Sequence, residues 1–259
     1  MRLASDSRGD GLPLIGLPWF GLAGSVLAAA LEPAIAAHPG LRRVYVDLPG
    51  CGRSPGGPPD SDAVLAAVAE FVDETVGERR FLLVGCSYGG YLAAALARRR
   101  PEQVAGLLLV CPAVRIRPAD RDLPDLPTES ELAVWLRDVP VDLRDHLAQT
   151  LGNRSRQAAA RVAAALAGSG PGDEAYLRRL WETGCRLSDE DSPAGYPGPT
   201  GIVVGRQDGV AGYADQFRAL ARYPQGSYTL LADAGHYLPF EQPQAFAGVV
   251  HAWLARVPG

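Results

Sequence analysis

Along most of the chain, short continuous apolar runs alternate with longer segments in which apolar residues recur every three or four positions. The runs Leu12–Leu17, Arg43–Asp47, Arg80–Gly85, Ala105–Cys111, Gly201–Gly205 and Ser227–Ala232 predict strands. Helical spacing covers Ser25–Ala37, Asp62–Val76, Ser87–Arg100, Gly212–Arg222 and Pro243–Arg256. Strands without polar alternation are buried on both faces, so this order predicts a mostly parallel sheet with helices on either side. Right-handed crossovers gather the C-terminal strand ends along one edge, where sites of α/β proteins lie.

One stretch breaks the alternation. From residue 113 to 199 no strand is predicted; a Pro/Asp-rich piece (Arg117–Pro127) precedes four helical patterns near Thr128–Asp138, Val141–Leu151, Ser155–Ala167 and Asp173–Leu187. Thr128 with Glu131 fits a capping box. Long segments without strands inside a compact domain tend to be functional. The expected organisation is therefore a core of 1–112 and 200–259, with 113–199 as a helical cap inserted before the strand Gly201–Gly205. Few residues precede Leu12, which limits the sheet to about six or seven strands.

Composition narrows the function classes. The 259 residues are 47% hydrophobic and carry 25 basic against 29 acidic side chains, a net charge of −4. This profile excludes a disordered chain, and a pI near 5.6 argues against nucleic acid as a partner. The insertion itself holds 11 arginines and 14 acidic residues, so the expected substrate is a small neutral or apolar molecule. Every basic residue is arginine, leaving no lysine for a Schiff base. Cys51, Cys86, Cys111 and Cys185 are too widely spaced for a metal motif or a disulfide framework. No metal and no cofactor are expected. No apolar run is long enough to span a membrane, and the first residues do not resemble a secretory signal. The expected location is the cytoplasm; oligomeric state leaves no signal in the sequence.

The sharpest chemical feature is Gly85-Cys86-Ser87-Tyr88-Gly89-Gly90, directly between a strand and a helix. A tight turn of this kind needs small neighbours and lifts Ser87 Oγ above the sheet edge, with the Tyr88 amide free at a helix N-terminus. A serine hydroxyl needs a base. Of four histidines, His38 ends a helix beside Pro39-Gly40, His146 falls on an amphipathic helix of the insertion as a surface or lid residue, and His251 lies inside the last helix. His236 alone follows a strand on the Ser87 edge, in Asp233-Ala234-Gly235-His236. The acid that orients it is Asp208, after the strand ending at Gly205; Asp233 is too near in sequence and shapes the loop. Asp47, in Asp47-Leu48-Pro49-Gly50, fits a turn in which a carboxylate anchors backbone amides.

Taken in order, Asp47-Leu48-Pro49-Gly50-x-Gly52-x-Ser54, Gly85-x-Ser87-x-Gly89, Gly205-x-x-Asp208 and Ala234-Gly235-His236 resemble the α/β-hydrolase fold superfamily, in its capped branch with a Ser-Asp-His triad. The resemblance implies catalytic Ser87, Asp208 and His236, with an oxyanion hole from the backbone amides of Tyr88 and Leu17. Members usually carry His-Gly after the strand that leads into the oxyanion loop. In the matching segment Leu14–Trp19, Ile15 replaces the histidine and Trp19 takes a place commonly held by glycine. Candidate substrate-binding residues are Trp19, Tyr88, Trp135 and Trp181.

The implied activity is that of a serine hydrolase cleaving an ester, thioester, lactone or related carbonyl through an acyl-enzyme on Ser87. The altered oxyanion loop raises the alternative of a C–C bond hydrolase, or of a non-hydrolytic lyase or cyclase acting on a specialised metabolite. A hydrolase scaffold used as a binding module is a third reading, against which the intact triad set counts. An aspartate nucleophile, as in dehalogenases and epoxide hydrolases of this fold, is excluded by Ser87. Cys86 is expected to point into the core.

Overall fold

The structure is a computed structural model and describes residues 1–126, 133–170 and 172–258. Seven strands form one sheet in the order β1-β3-β2-β4-β5-β6-β7, from β1 (Ser5–Arg8), β2 (Leu12–Leu17), β3 (Leu41–Val46), β4 (Phe81–Cys86), β5 (Val104–Val110), β6 (Thr200–Gly205) and β7 (Gly226–Leu231). Only β1 runs antiparallel, along the edge of β3. It is the short strand for which the residues before Leu12 leave room.

Strands β4 and β5 are buried throughout, as their unbroken apolar runs require. Alternate side chains feed two cores. Ile15, Leu83, Leu109 and Val204 pack with α2 (Ser61–Val76) and α3 (Tyr88–Arg99) on one face. Leu14, Leu82, Val84 and Val203 pack with α1 (Gly24–Ile35) and α9 (Pro243–Leu254) on the other. The Asp60 carboxylate caps α2 by accepting from the Ala63 amide.

Between β5 and β6 the described residues contain no strand. They form α4 (Val141–Thr150), α5 (Arg156–Ala167) and α6 (Glu174–Arg179), the last running into a π-helical turn over Leu180–Gly184. Ser155 and Asp173 cap α5 and α6. The helix expected over Thr128–Asp138 falls partly outside the described residues, as does its Thr128/Glu131 capping box; its described portion holds a 3-10 turn at Val134–Leu136. The helix expected over Gly212–Arg222 shortens to α7 (Ala214–Ala219) and a 3-10 turn, Leu220–Arg222. A last short helix, α8 (Leu238–Glu241), precedes α9. Among the described residues no helix is long and apolar enough to cross a membrane.

Candidate active site

The turn between β4 and α3 holds Ser87 at φ 53°, ψ −117°, a backbone conformation that costs an L residue energy and persists only where its surroundings fix it. Those surroundings are small by necessity. A Cβ on Gly85 would run into the Gly89 carbonyl, and one on Gly89 into the carbonyls of Leu17 and Pro18. Ser87 is pinned further by its amide, which donates to Val110 O at 3.0 Å, and by its carbonyl, which accepts from Tyr91 N and Ala113 N. Cys86, by contrast, is fully buried, and burial pushes its thiol well above the ordinary range.

His236 follows β7 in a loop whose backbone is tied on two sides. Its amide donates to Thr150 O at 2.8 Å, and its carbonyl accepts from Trp19 Nε1 at 3.3 Å. The ring lies between the two other residues singled out in the sequence. Nδ1 is 2.9 Å from Asp208 Oδ2, and Nε2 is 2.9 Å from Ser87 Oγ. The carboxylate of Asp208 can only accept, so it fixes the proton on Nδ1 and leaves the Nε2 lone pair facing the serine hydroxyl. Asp208 has no solvent exposure, and its Oδ1 accepts from the amides of Val210 and Ala211 at 2.9 Å. Asp233 is exposed and takes no part.

These residues open on a cavity of about 370 Å³, within the range of small-molecule sites. Its wall is mostly aromatic and aliphatic. Trp19, Tyr88 and Trp181 line it as expected residues; Trp135 does not, and packs instead against the core on the α1/α9 face. Trp135 sits in the 3-10 turn, which turns its ring toward that core.

One placement differs from the sequence reading. Leu17 is the last residue of β2, fully buried opposite Gly85, and does not reach the cavity. The strand extends through Leu17, so the positions after it are Pro18 and Trp19, not Ile15 and Gly16. Phe20, three residues beyond Leu17, does line the cavity. Among the described residues the Phe20 and Tyr88 amides donate to no acceptor, the latter because it opens α3. His146, read as a surface or lid residue, lies on α4, is solvent-exposed in part and lines the cavity; its Nε2 is 2.9 Å from Tyr237 Oη, and desolvation lowers its pKa below the ordinary imidazole value, helped by nearby His236.

Sequence reasoning also missed Arg121 and Glu241. Arg121 reaches the cavity wall from the loop after β5. Glu241, 2% exposed, accepts from the amides of Gly152 (2.8 Å), Asn153 (2.7 Å), Gly235 (2.9 Å) and Tyr237 (3.1 Å). Burial pushes its carboxyl up to about 7, while the amides pull it back. A glutamate five residues after the histidine was the available signal, and nothing in the linear pattern marks its partners. Asp47 behaves as expected of a turn anchor, accepting from Gly24 N at 2.8 Å and Arg53 N at 3.1 Å. His38 bonds the Pro39 carbonyl, and His251 that of Ala34, both away from the site.

Comparison with known proteins agrees with this architecture. The model of the family described as "Alpha/beta hydrolase family" matches residues 11–249. A crystal structure of an alpha/beta superfamily hydrolase from Oenococcus oeni is 27% identical, superposes with a TM-score of 0.84 and covers 99% of both chains. Lipase LipV of Mycobacterium tuberculosis is 45% identical over 71 residues, 27% of either chain. A pimeloyl-[acyl-carrier protein] methyl ester esterase of Sodalis glossinidius is 35% identical over 125 residues, 47% of this chain and 44% of its own. The chain thus spans less than half the length of these curated relatives.

Proposed function

The chain belongs to the α/β-hydrolase family, and from that premise we propose that it is a serine hydrolase acting on a carboxylic ester or a related thioester or lactone. What carries this reading is the pair of 2.9 Å contacts from Ser87 to His236 and from His236 to Asp208, on the floor of a cavity with two unpartnered amides.

In the proposed mechanism Ser87 Oγ attacks the carbonyl carbon while its proton passes to His236 Nε2. Asp208 stays ionised and stabilises the imidazolium. The tetrahedral oxyanion accepts from the amides of Tyr88 and Phe20, each such donor contributing roughly 2.7–4 kcal/mol to the transition state. Collapse breaks the C–O bond, and His236 gives its proton to the departing oxygen. Water, deprotonated by the same nitrogen, then releases the acid from Ser87. The segment 113–199 acts as the cap that roofs the cavity, and the apolar wall suits a small substrate with an apolar body. The C–C cleaving or non-hydrolytic alternative drew its motive from the altered oxyanion loop with Ile15 and Trp19; a Phe20 donor supports the hydrolytic reading against it.

A fluorophosphonate probe tests the proposal. Folded wild-type protein is expected to gain one adduct on Ser87 and to hydrolyse p-nitrophenyl esters, with Ser87→Ala lowering kcat by about 10⁴–10⁶-fold. Absence of labelling in folded protein sinks the reading.

A further inference from the structure

The cavity wall carries one permanent charge among its lining residues, the guanidinium of Arg121. It is held firmly. Nε donates to Arg115 O at 2.9 Å, Nη1 to Val210 O at 2.7 Å and Nη2 to Ile116 O, and the group lies 6.0 Å over the Trp181 ring. These three bonds use three of five N–H donors and leave one on each Nη nitrogen.

No carboxylate neutralises this cation among the described residues. The acids nearest in field are Asp208, Glu190 and Asp215, and each is engaged elsewhere. Asp208 serves His236 and the amides of Val210 and Ala211. Glu190 binds Arg186, Tyr91 and the Ile116 amide. Asp215 binds Arg218 and the Asp122 amide. A half-buried cation without a counter-charge is costly, and the cost is recovered when an anion completes the site. His146 adds no competing charge, since burial keeps it neutral near pH 7.

We infer that Arg121 is a recognition site for a carboxylate carried by the substrate at a distance from the scissile ester. The fork geometry and single charge suit a monoanionic carboxylate. The substrate class becomes a monoester of a dicarboxylic acid, or an ester with an equivalent acidic tail, its apolar middle lying against the aromatic wall. This rests on the serine-hydrolase reading for the position of the scissile bond, and it departs from the neutral substrate that overall charge suggests.

The test pairs mono-p-nitrophenyl adipate with p-nitrophenyl hexanoate, equal in acyl length and differing in the terminal charge. Wild type is expected to show a KM about 10–100-fold lower for the adipate. Arg121→Gln should abolish that difference by raising KM for the adipate about 10–100-fold more than KM for the hexanoate, and Arg121→Lys should keep part of it. Equal KM values in wild type, or equal loss on both esters in Arg121→Gln, overturns the inference. If Arg121→Gln fails to fold, the wild-type comparison alone decides. Calorimetry of monomethyl adipate and methyl hexanoate on Ser87→Ala separates the two readings. Charge-selective binding without turnover of either ester in wild type upholds Arg121 and sinks the hydrolase; turnover without charge selectivity does the reverse.

Discussion

The cavity has a floor and a roof, and they are fastened in different ways. The floor, made by the loops after β4, β6 and β7, is held by main-chain amides: Ser87 N on Val110 O, Val210 and Ala211 N on Asp208, Gly235 and Tyr237 N on Glu241. The described residues between β5 and β6, which we propose as the roof, are fastened to the core in part through side chains. Tyr91 joins Glu190 at 2.8 Å, Ser61 donates to the Cys185 carbonyl at 2.7 Å, and Arg98 pairs with Asp189 at 2.7 Å. On the floor two buried carboxylates each gather several amides, whereas each roof fastening is a separate pair of groups that can change without the others. The difference separates chemistry from selectivity: the floor can keep one geometry while the roof is rebuilt around a new substrate.

The largest expected effect breaks the floor without moving it. Asp208→Asn keeps the shape and an oxygen for the Val210 and Ala211 amides, but its other atom becomes a donor aimed at Nδ1. The proton then sits on Nε2, where it cannot leave room for that of Ser87. The expected loss in kcat is about 10⁴-fold with an unchanged melting profile. Activity within tenfold of wild type means the floor is not where the chemistry happens.

The next test acts on the seam. Glu241 binds both parts, with Gly152 and Asn153 on the roof side and Gly235 and Tyr237 on the floor side. Glu241→Gln replaces an acceptor by a donor facing these amides and leaves buried N–H groups unpaired. Unfolding by urea is expected to show a loss of about 1–3 kcal/mol. Because the His236 loop shifts with it, kcat should fall by up to about 10²-fold, and fluorophosphonate labelling should slow in proportion. A stability loss with normal labelling shows that Glu241 holds the roof alone.

The same division explains what could be read in advance. β2, β4, β5 and β6 follow from apolar runs, because burial on both faces leaves few polar positions to confuse the pattern; β3 and β7 were legible from shorter β-branched, aromatic and leucine runs beside polar residues. Ser87, Asp208 and His236 were legible because each follows a strand, and parallel strands deliver their ends to one edge. Leu17 was chosen as a donor because the resemblance set Ile15 against the family's histidine, although the apolar run itself places Ile15 and Leu17 inside the strand Leu12–Leu17. On the roof, helices bury only a stripe, and spacing does not reveal what that stripe faces. His146 therefore read as either a surface or a lid residue, and Trp135 and Trp181 looked alike although only the latter reaches the cavity. Arg121 sits in a Pro/Asp-rich loop without periodicity, where its three carbonyl partners have no linear signature.

The smallest effect concerns the one imidazole that hangs from the roof. His146 is held below the ordinary value of 6.5, chiefly by burial and then by His236. Tyr237 is the other polar group against it, its phenol pushed upward by burial and so neutral. A depressed histidine is protonated more readily in the unfolded chain, so the stability tied to neutral His146 is full above pH 6.5 and drains as pH falls through and below it. His146→Gln retains a partner for Tyr237 Oη and removes this drain. Near pH 7.5 the variant is expected to be less stable by about 0.5–1.5 kcal/mol, the value of one imperfectly replaced hydrogen bond. At pH 5.5 the gap should narrow or reverse, as urea melts at the two values can show. A gap that widens in acid means His146 carries its proton in the folded state. The roof would then add a second positive charge beside Arg121, and the preference for an acidic substrate should strengthen as pH falls.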